Sequence, residues 1–143
     1  MQKKIKNKPA LFLIFLVIFI LIAVPVTGIF IISGGHPYEM YVINKAASAH
    51  LESNGYTEDD FFEAHYVQGS TMENGDCYEG QYMVIFQDEP HITYYYGVTR
   101  KNHHVVQIAE KECTLQDGTL KITTDTTKHT KSHCIYSKTA SHH

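Results

Sequence analysis

Hydrophobic side chains follow three different patterns along the chain. Residues 10–32 form an apolar run, ALFLIFLVIFILIAVPVTGIFII, which carries no charge. A stretch with helical spacing of its apolar residues follows, and after it come short stretches in which apolar and polar residues alternate. This order predicts a membrane helix, a second helix and a β-sheet, which together give an α+β fold.

The apolar run is long enough to cross a lipid bilayer. As a helix its 23 residues would rise about 34 Å, against a hydrocarbon core of about 30 Å. The alternative is a cleaved secretory signal, with Ser33-Gly34-Gly35 as the cleavage site. The apolar core of such signals is usually only about 7–15 residues long. We therefore expect a retained transmembrane helix over 10–32, and the cleaved alternative stays open.

Lysines predict the orientation of this helix. The segment 1–9 contains no acid, and its four lysines are Lys3, Lys4, Lys6 and Lys8. Basic residues keep a flank of a membrane helix in the cytoplasm. We expect a cytoplasmic segment over 1–9, a single pass through the cell membrane, and the C-terminus outside.

A second helix is predicted over Tyr38–Asn54. Pro37 suits the first turn of a helix, and Gly55 suits the position just past its end. The apolar stripe consists of Tyr41, Ala47 and Leu51. Thr57 followed by Asp60 predicts a short helical turn or a capped loop over 57–61.

Alternating apolar and polar residues predict an antiparallel meander of about four strands. The strands are expected over 62–67, 78–87, 92–98 and 105–109. In the second strand Tyr82, Val84 and Phe86 share one face. A weak hairpin is possible at Cys113–Leu115 and Leu120–Thr123. The second helix should cover one face of the sheet and leave the other for water or a partner.

The C-terminal residues have a different composition from the preceding domain. Residues 125–143 are rich in Thr, Ser, Lys and His and contain few aliphatic side chains. A segment of this kind buries too little apolar surface to offset its ordering entropy. We therefore predict an extracytoplasmic α+β domain over 33–124 and a disordered tail over 125–143.

The part of the chain beyond the membrane run is acidic. From residue 33 onward it contains 8 Lys and Arg (12 minus the four before the run) and all 15 Asp and Glu, a net charge of −7. Such a domain is repelled by phosphate backbones, so no nucleic-acid partner is expected. Binding to anionic lipid headgroups through basic patches is disfavoured for the same reason.

Three segments behind the membrane run resemble a known family. They are Ala49-His50-Leu51-Glu52-Ser53-Asn54-Gly55-Tyr56, Thr57-Glu58-Asp59-Asp60-Phe61, and Met83-Val84-Ile85-Phe86-Gln87-Asp88-Glu89-Pro90 followed by Tyr94-Tyr95-Tyr96. The pattern is similar to the domain-of-unknown-function family 3139, small membrane-anchored proteins of Gram-positive bacteria. The resemblance covers about residues 5–110. It implies a location and a fold, and it supplies no catalytic residues because the family has no assigned activity.

Histidines near the C-terminus raise the hypothesis of an extracytoplasmic metal-binding protein. His129 and His133 are four residues apart and Cys134 is adjacent, while His103-His104 form a pair in a turn. Imidazole and thiolate are ligands for zinc and copper. However, a tail without helical pattern does not hold the two histidines on one face. Exposed polar histidines are therefore the favoured interpretation, and no cofactor is expected.

The three cysteines leave the disulfide pattern open. An exported chain meets oxidising conditions. In a meander Cys77 and Cys113 lie at opposite ends of their strands, too far apart for the roughly 6 Å between Cα atoms that a bridge requires. A Cys113–Cys134 bridge and no bridge at all are the remaining alternatives.

The predicted sheet offers one candidate contact surface. Tyr95 points opposite to Tyr94 and Tyr96, which makes it a candidate exposed aromatic residue. Asp88 and Glu89 form an acidic pair in the next turn. Since the sequence shows no catalytic motif, we expect a non-enzymatic binding or accessory module of the cell envelope. Its protein or envelope partner and its oligomeric state are not indicated by the sequence.

Overall fold

A computed structural model of the protein describes residues 8–34, 36–69 and 75–136. The chain divides between Pro37 and Tyr38 into two compact units. The first unit contains the apolar run, and the second contains the predicted α+β domain.

The first unit is one helix, α1, over Lys8–Gly34. It continues through Pro25, and the hydroxyl of Thr27 donates a hydrogen bond to the carbonyl of Ala23 (2.7 Å). Large apolar side chains from Leu11 to Ile29 are exposed on all sides of the helix, as expected for a segment that is surrounded by lipid. Lys8–Ile29 is long and apolar enough to cross a membrane, so the predicted apolar helix near the N-terminus is confirmed.

The second unit begins with helix α2 over Pro37–Ser53. The predicted helix is confirmed, but its buried stripe differs from the predicted one. Tyr41 is 62% exposed, and the buried side chains are Val42, Ile43, Ala47 and Leu51. Gly55 has a φ of +88°, the left-handed conformation that glycine adopts readily after a helix.

One turn of 3-10 helix over Glu58–Asp60 leads into the sheet. The strands are β1 (Phe61–Gln68), β2 (Gly80–Phe86), β3 (Ile92–Val98), β4 (Val105–Ile108), β5 (Lys111–Thr114), β6 (Leu120–Thr123) and β7 (Cys134–Ile135). The four predicted strands and the weak hairpin are all present. The helix-on-sheet architecture is therefore confirmed, and the described residues form seven strands of one sheet instead of about four.

The sheet differs from a simple meander on one side of β3. Strands β4 and β5 both pair with the same edge of β3, where Tyr96 lies opposite Gln107 and Ile92 lies opposite Cys113. The pairing shifts by two residues between them, so β4 and β5 are one strand with an interruption. Strand β7 pairs with β4 in parallel, which makes the sheet mixed.

The core lies between α2 and the face of the sheet that the sequence predicted. Tyr82, Val84 and Phe86 of β2 are buried there together with Tyr94 and Tyr96 of β3. A smaller cluster lies apart from this core. It contains buried Cys77 and Ile108, with Tyr95, Val106 and Ile135 packed against them.

Residues 125–136 differ from the prediction of a disordered tail. This segment, called the strap below, packs against the sheet. The side-chain amide of Gln107 donates to the carbonyl of His129 (3.0 Å) and its oxygen accepts from the backbone N–H of Lys131 (2.7 Å). Hydrogen bonds from the sheet thus order a segment that has few aliphatic side chains. The strap lies beyond the boundary predicted at 124, and 137–143, the rest of the predicted tail, lie outside the described residues.

All three cysteines are free thiols. Cys77 is buried, and Cys113 and Cys134 are half-buried on β5 and β7. The structure therefore contains neither a Cys77–Cys113 nor a Cys113–Cys134 bridge, which corresponds to the alternative of no bridge.

Candidate functional site

The strap brings His129 onto the end of the core. Its ring stacks on Phe86 with 3.8 Å between ring centroids and 16° between the planes. Nδ1 lies 2.8 Å from the hydroxyl of Tyr56, and Nε2 lies 2.9 Å from a carboxylate oxygen of Asp88. The side chain is only 10% exposed. Both ring nitrogens of His129 are therefore occupied by partners within the protein.

Asp88 is the charged end of this cluster. It accepts hydrogen bonds from the ammonium of Lys128 and from His129. These bonds, the one from Lys128 first, lower the pKa of Asp88 to about 2 from its usual value near 3.8. The side chain is thus held as a carboxylate.

Glu89 and Tyr94 extend the cluster into the core. The buried hydroxyl of Tyr94 donates to Glu89 and lies 2.5 Å from the hydroxyl of Thr127. Burial, and then the hydrogen bond to Glu89, raise the pKa of Tyr94 to about 12. The sequence suggested Asp88 and Glu89 as part of a contact surface and His129 as a metal ligand. The structure places all three residues in this one polar cluster. We call Tyr56, Asp88, Glu89, Tyr94, Thr127 and His129 the closed cluster.

Asp88, His129 and Tyr56 are hydrogen-bonded in series, as the members of a catalytic triad are. The pKa of Tyr56, however, disfavours a role for its hydroxyl as a nucleophile. A nucleophile is activated when its pKa is lowered or when a free base takes its proton. The pKa of Tyr56 is instead raised, by burial first and then by the charges of Asp88 and Asp60. The raised pKa keeps the hydroxyl of Tyr56 protonated, which disfavours Tyr56 as a nucleophile. The arrangement is suited to holding the strap in place.

The predicted metal ligands are not brought together. His133 is exposed, and the thiol of Cys134 lies 3.6 Å from an oxygen of Gln107 and 3.4 Å from the carbonyl of Lys131. Burial raises the pKa of the Cys134 thiol, which disfavours the thiolate that metals bind. Within 8–34, 36–69 and 75–136, no three His, Cys, Asp or Glu side chains are grouped so that they could hold a metal ion.

Tyr95 is half-buried instead of fully exposed. It packs against the small cluster formed by Cys77 and Ile108. Burial, and then the neighbouring Glu112, raise the pKa of its hydroxyl. The predicted contact surface around Tyr95 is therefore partly used inside the domain.

An open groove of about 670 Å³ lies between α2 and the turn that joins β3 to β4. We call it the α2 groove. Its polar and aromatic lining comprises Tyr38, Tyr41, Lys45, His50 and Ser53 from α2 and Asn102, His103 and His104 from the turn. None of the residues described as lining it carries a carboxylate.

Hydrogen bonds fix the turn that carries the two histidines. The backbone N–H of His104 donates to the hydroxyl of Thr99 (2.8 Å), and this hydroxyl donates to Asn102 (2.6 Å). His103 has a φ of +52°, a conformation that few residues other than glycine adopt. Its Nε2 lies 3.4 Å from the hydroxyl of Tyr78. The turn therefore presents both imidazoles from a defined backbone.

The α2 groove combines the ammonium of Lys45 with three imidazoles. Burial lowers the pKa of His50, and the nearby Lys131 and His104 lower it further, which favours its neutral form near pH 7. Lys45 lies with its ammonium 5.7 Å from the centre of the Tyr41 ring. The lining described for the groove thus carries a lysine and no carboxylate, within a domain whose net charge is negative.

A second groove, of about 570 Å³, follows the other flank of α2. It runs along β1, which is at one end of the strand order. Its lining includes Glu52, Glu58 and Glu63 together with Phe61 and Phe62. The two flanks of α2 thus differ in charge.

Sequence reasoning missed the α2 groove, although part of its pattern is readable. Tyr38, Tyr41, Lys45 and Ala49 recur at helical spacing along one side of α2, beside the buried stripe. The opposite wall comes from residues more than fifty positions later, and no local pattern predicts that this turn lies against α2.

The comparisons with known proteins identify one family. The family described as "Protein of unknown function (DUF3139)" matches residues 6–96. Neither the curated proteins nor the solved structures contain a match to the chain. The matched range includes α1, α2 and the Asp88-Glu89 turn, and the strap and the His103-His104 turn follow it in the sequence.

Proposed function

Because the chain belongs to the DUF3139 family, whose function is unknown, we propose a function from its own residues. The protein is a single-pass membrane protein whose outer domain binds a component of the cell envelope and catalyses no reaction. One observation carries the binding role: the α2 groove is open, whereas the polar groups of the closed cluster are bonded to one another.

The membrane placement is supported by α1 and by the lysines of the N-terminus. A helix that is apolar on all sides is stable in lipid and not in water. The lysines at positions 3, 4, 6 and 8 favour a cytoplasmic N-terminus. The domain that begins with α2 is then outside the cell membrane.

The distribution of polar groups supports binding over catalysis. An active site usually combines a cavity with titratable groups that face it. The imidazole of His129 instead faces Tyr56 and Asp88. The α2 groove has volume, aromatic surface, the ammonium of Lys45 and three imidazoles, which are features of a recognition surface.

The topology can be tested with the intact chain. A reporter fused after His143 should be active outside the cytoplasm, and protease added to spheroplasts should remove the domain. Replacing the four N-terminal lysines with glutamine should give mixed orientations, because these lysines are the charges next to the membrane run. A C-terminus protected from external protease would contradict the placement.

The binding role can be tested by photo-crosslinking in intact envelopes. A photoreactive phenylalanine analogue would replace Tyr41 in the α2 groove, and a matched control would carry it at Leu120, an exposed residue of β6 (67%). We expect a discrete cross-linked product from position 41 that position 120 does not give. Equal products from both positions, or none from position 41, would refute binding at this groove.

A further inference from the structure

We infer that the α2 groove binds the phosphate groups of an anionic polymer outside the membrane. This inference rests on the proposed function, because it names the chemistry of the component that the groove binds. The relevant donors are Lys45, His50, His103 and His104.

The donors come from both walls of the groove. Lys45 and His50 belong to α2, and His103 and His104 belong to the facing turn. Ammonium and imidazolium groups donate hydrogen bonds and carry no acceptor, so a phosphate with several acceptor oxygens suits them. Since no carboxylate lines the described groove, an entering phosphate meets cationic, aromatic and neutral groups.

The shape favours a chain over a single small ion. The groove follows α2 from Tyr38 to Ser53, a length of about 22 Å at 1.5 Å per residue. A phosphate polymer carries its charges along its backbone, so it can follow a narrow groove. An acidic peptide carries its charges on flexible side chains, which lose rotamer freedom on binding.

The charge of the whole domain favours a thin polymer over a lipid surface. Beyond residue 33 the net charge is −7, so a plane of anionic headgroups would meet acidic surface as well as the groove. A single polymer chain can enter the groove and contact only the residues that line it, none of which is described with a carboxylate. The attraction between the phosphates and the groove lining then outweighs the repulsion by the distant acidic residues. Salt screening limits the range of that repulsion to about 8–10 Å at physiological ionic strength.

His50 makes the binding dependent on pH. Its ring contacts the ring of Tyr96 (6.2 Å between centroids), and it is near Lys131 of the strap and His104 of the turn. Burial and these neighbours lower the pKa of His50, so its imidazole is uncharged near neutral pH and gains a charge on acidification. Protonation of His50 should therefore strengthen binding of a polyanion.

The test uses the full chain in nanodiscs of neutral phosphatidylcholine and short-chain polyphosphate as the probe. We expect binding by calorimetry that weakens with added salt and strengthens from about pH 7.5 to about pH 5.5. The double variant Lys45→Gln/His104→Gln should raise Kd at least about tenfold, since it removes two charge-assisted contacts. Lys121→Gln, on β6 and outside the groove, is the control and should change Kd less than about twofold.

Other ligand chemistries are separated by further arms of the same test. Equal or tighter binding of poly-L-glutamate would overturn the choice of phosphate in favour of an acidic peptide. Binding to phosphatidylglycerol vesicles without binding of polyphosphate would overturn the choice of a polymer. No binding of polyphosphate at either pH would refute the inference. The proposed function would still stand in that case if cross-linking at position 41 persisted.

Discussion

The closed cluster and the α2 groove contain the same kinds of side chain in opposite situations. Each contains tyrosine and histidine side chains next to aromatic rings. In the closed cluster the two ring nitrogens of His129 have protein partners at 2.8 and 2.9 Å. In the groove, His104 and Lys45 face a volume of about 670 Å³.

This difference separates a structural role from a recognition role. A polar group whose hydrogen bonds are satisfied inside the fold stabilises that fold, and breaking one of its bonds leaves its partner unsatisfied. A polar group at an open groove contributes little to stability and is available to a ligand. The residue type alone does not distinguish these roles, whereas the contacts do.

The largest expected effect is on Phe86, which lies under the closed cluster. Phe86 is fully buried, and its ring contacts Tyr56, Tyr94 and His129 with centroid distances of 4.9, 5.3 and 3.8 Å. Phe86→Ala should lower the free energy of unfolding by about 3–5 kcal/mol, because it leaves a cavity shared by the core and the strap. Urea denaturation followed by circular dichroism measures this loss.

The matched control for that substitution is Phe62 on β1, which is 71% exposed. Phe62→Ala should change the free energy of unfolding by less than about 0.5 kcal/mol. If the two variants were equally stable, the ring of Phe86 would not hold the core and the strap together.

A smaller effect is expected for His129. His129→Gln removes the stacking on Phe86 and cannot reproduce both ring hydrogen bonds, so the free energy of unfolding should fall by about 1–3 kcal/mol. The same substitution at His104 should cost less than about 0.5 kcal/mol, because the hydrogen bond that His104 makes to Thr99 comes from its backbone. Thermal melting of both variants measures the difference, and equal melting temperatures would contradict the closed cluster.

The smallest expected effect is a dependence of the domain's stability on pH in the acidic range. The pKa of Asp88 is about 2 in the folded protein, below its ordinary value near 3.8. A depressed folded pKa stabilises the fold above the unfolded value, and this contribution is lost as the pH falls from about 4 to about 2. Asp88→Asn should therefore show a shallower loss of melting temperature over this interval. An unchanged slope would mean that the carboxylate of Asp88 does not hold the strap.

Local patterns in the sequence predicted most of the elements. The apolar run of α1, the span of α2 and the alternation in β2 depend on residues close together in the chain. This explains why the burial of Tyr82, Val84 and Phe86 was predicted correctly. The buried side of α2 was predicted less accurately, since Tyr41 was assigned to the core and lies at the α2 groove instead.

The remaining features depend on contacts between distant residues. The strap is ordered by Asp88 and Gln107, which lie 41 and 22 positions before His129, and its own composition does not reveal these partners. The continuation of β4 into β5 depends in the same way on their common pairing with β3. The α2 groove requires two walls that are far apart in sequence, so its histidines look like an ordinary polar turn.

In our proposal the α2 groove binds a phosphate polymer, whereas the closed cluster stabilises the packing of the strap on the domain. The most direct test compares polyphosphate binding by His104→Gln and His129→Gln at a temperature at which both variants are folded. We expect His104→Gln to raise Kd by about fivefold or more, since it removes one charge-assisted contact. His129→Gln should leave Kd within about twofold. Loss of binding in His129→Gln with unchanged binding in His104→Gln would contradict the proposal.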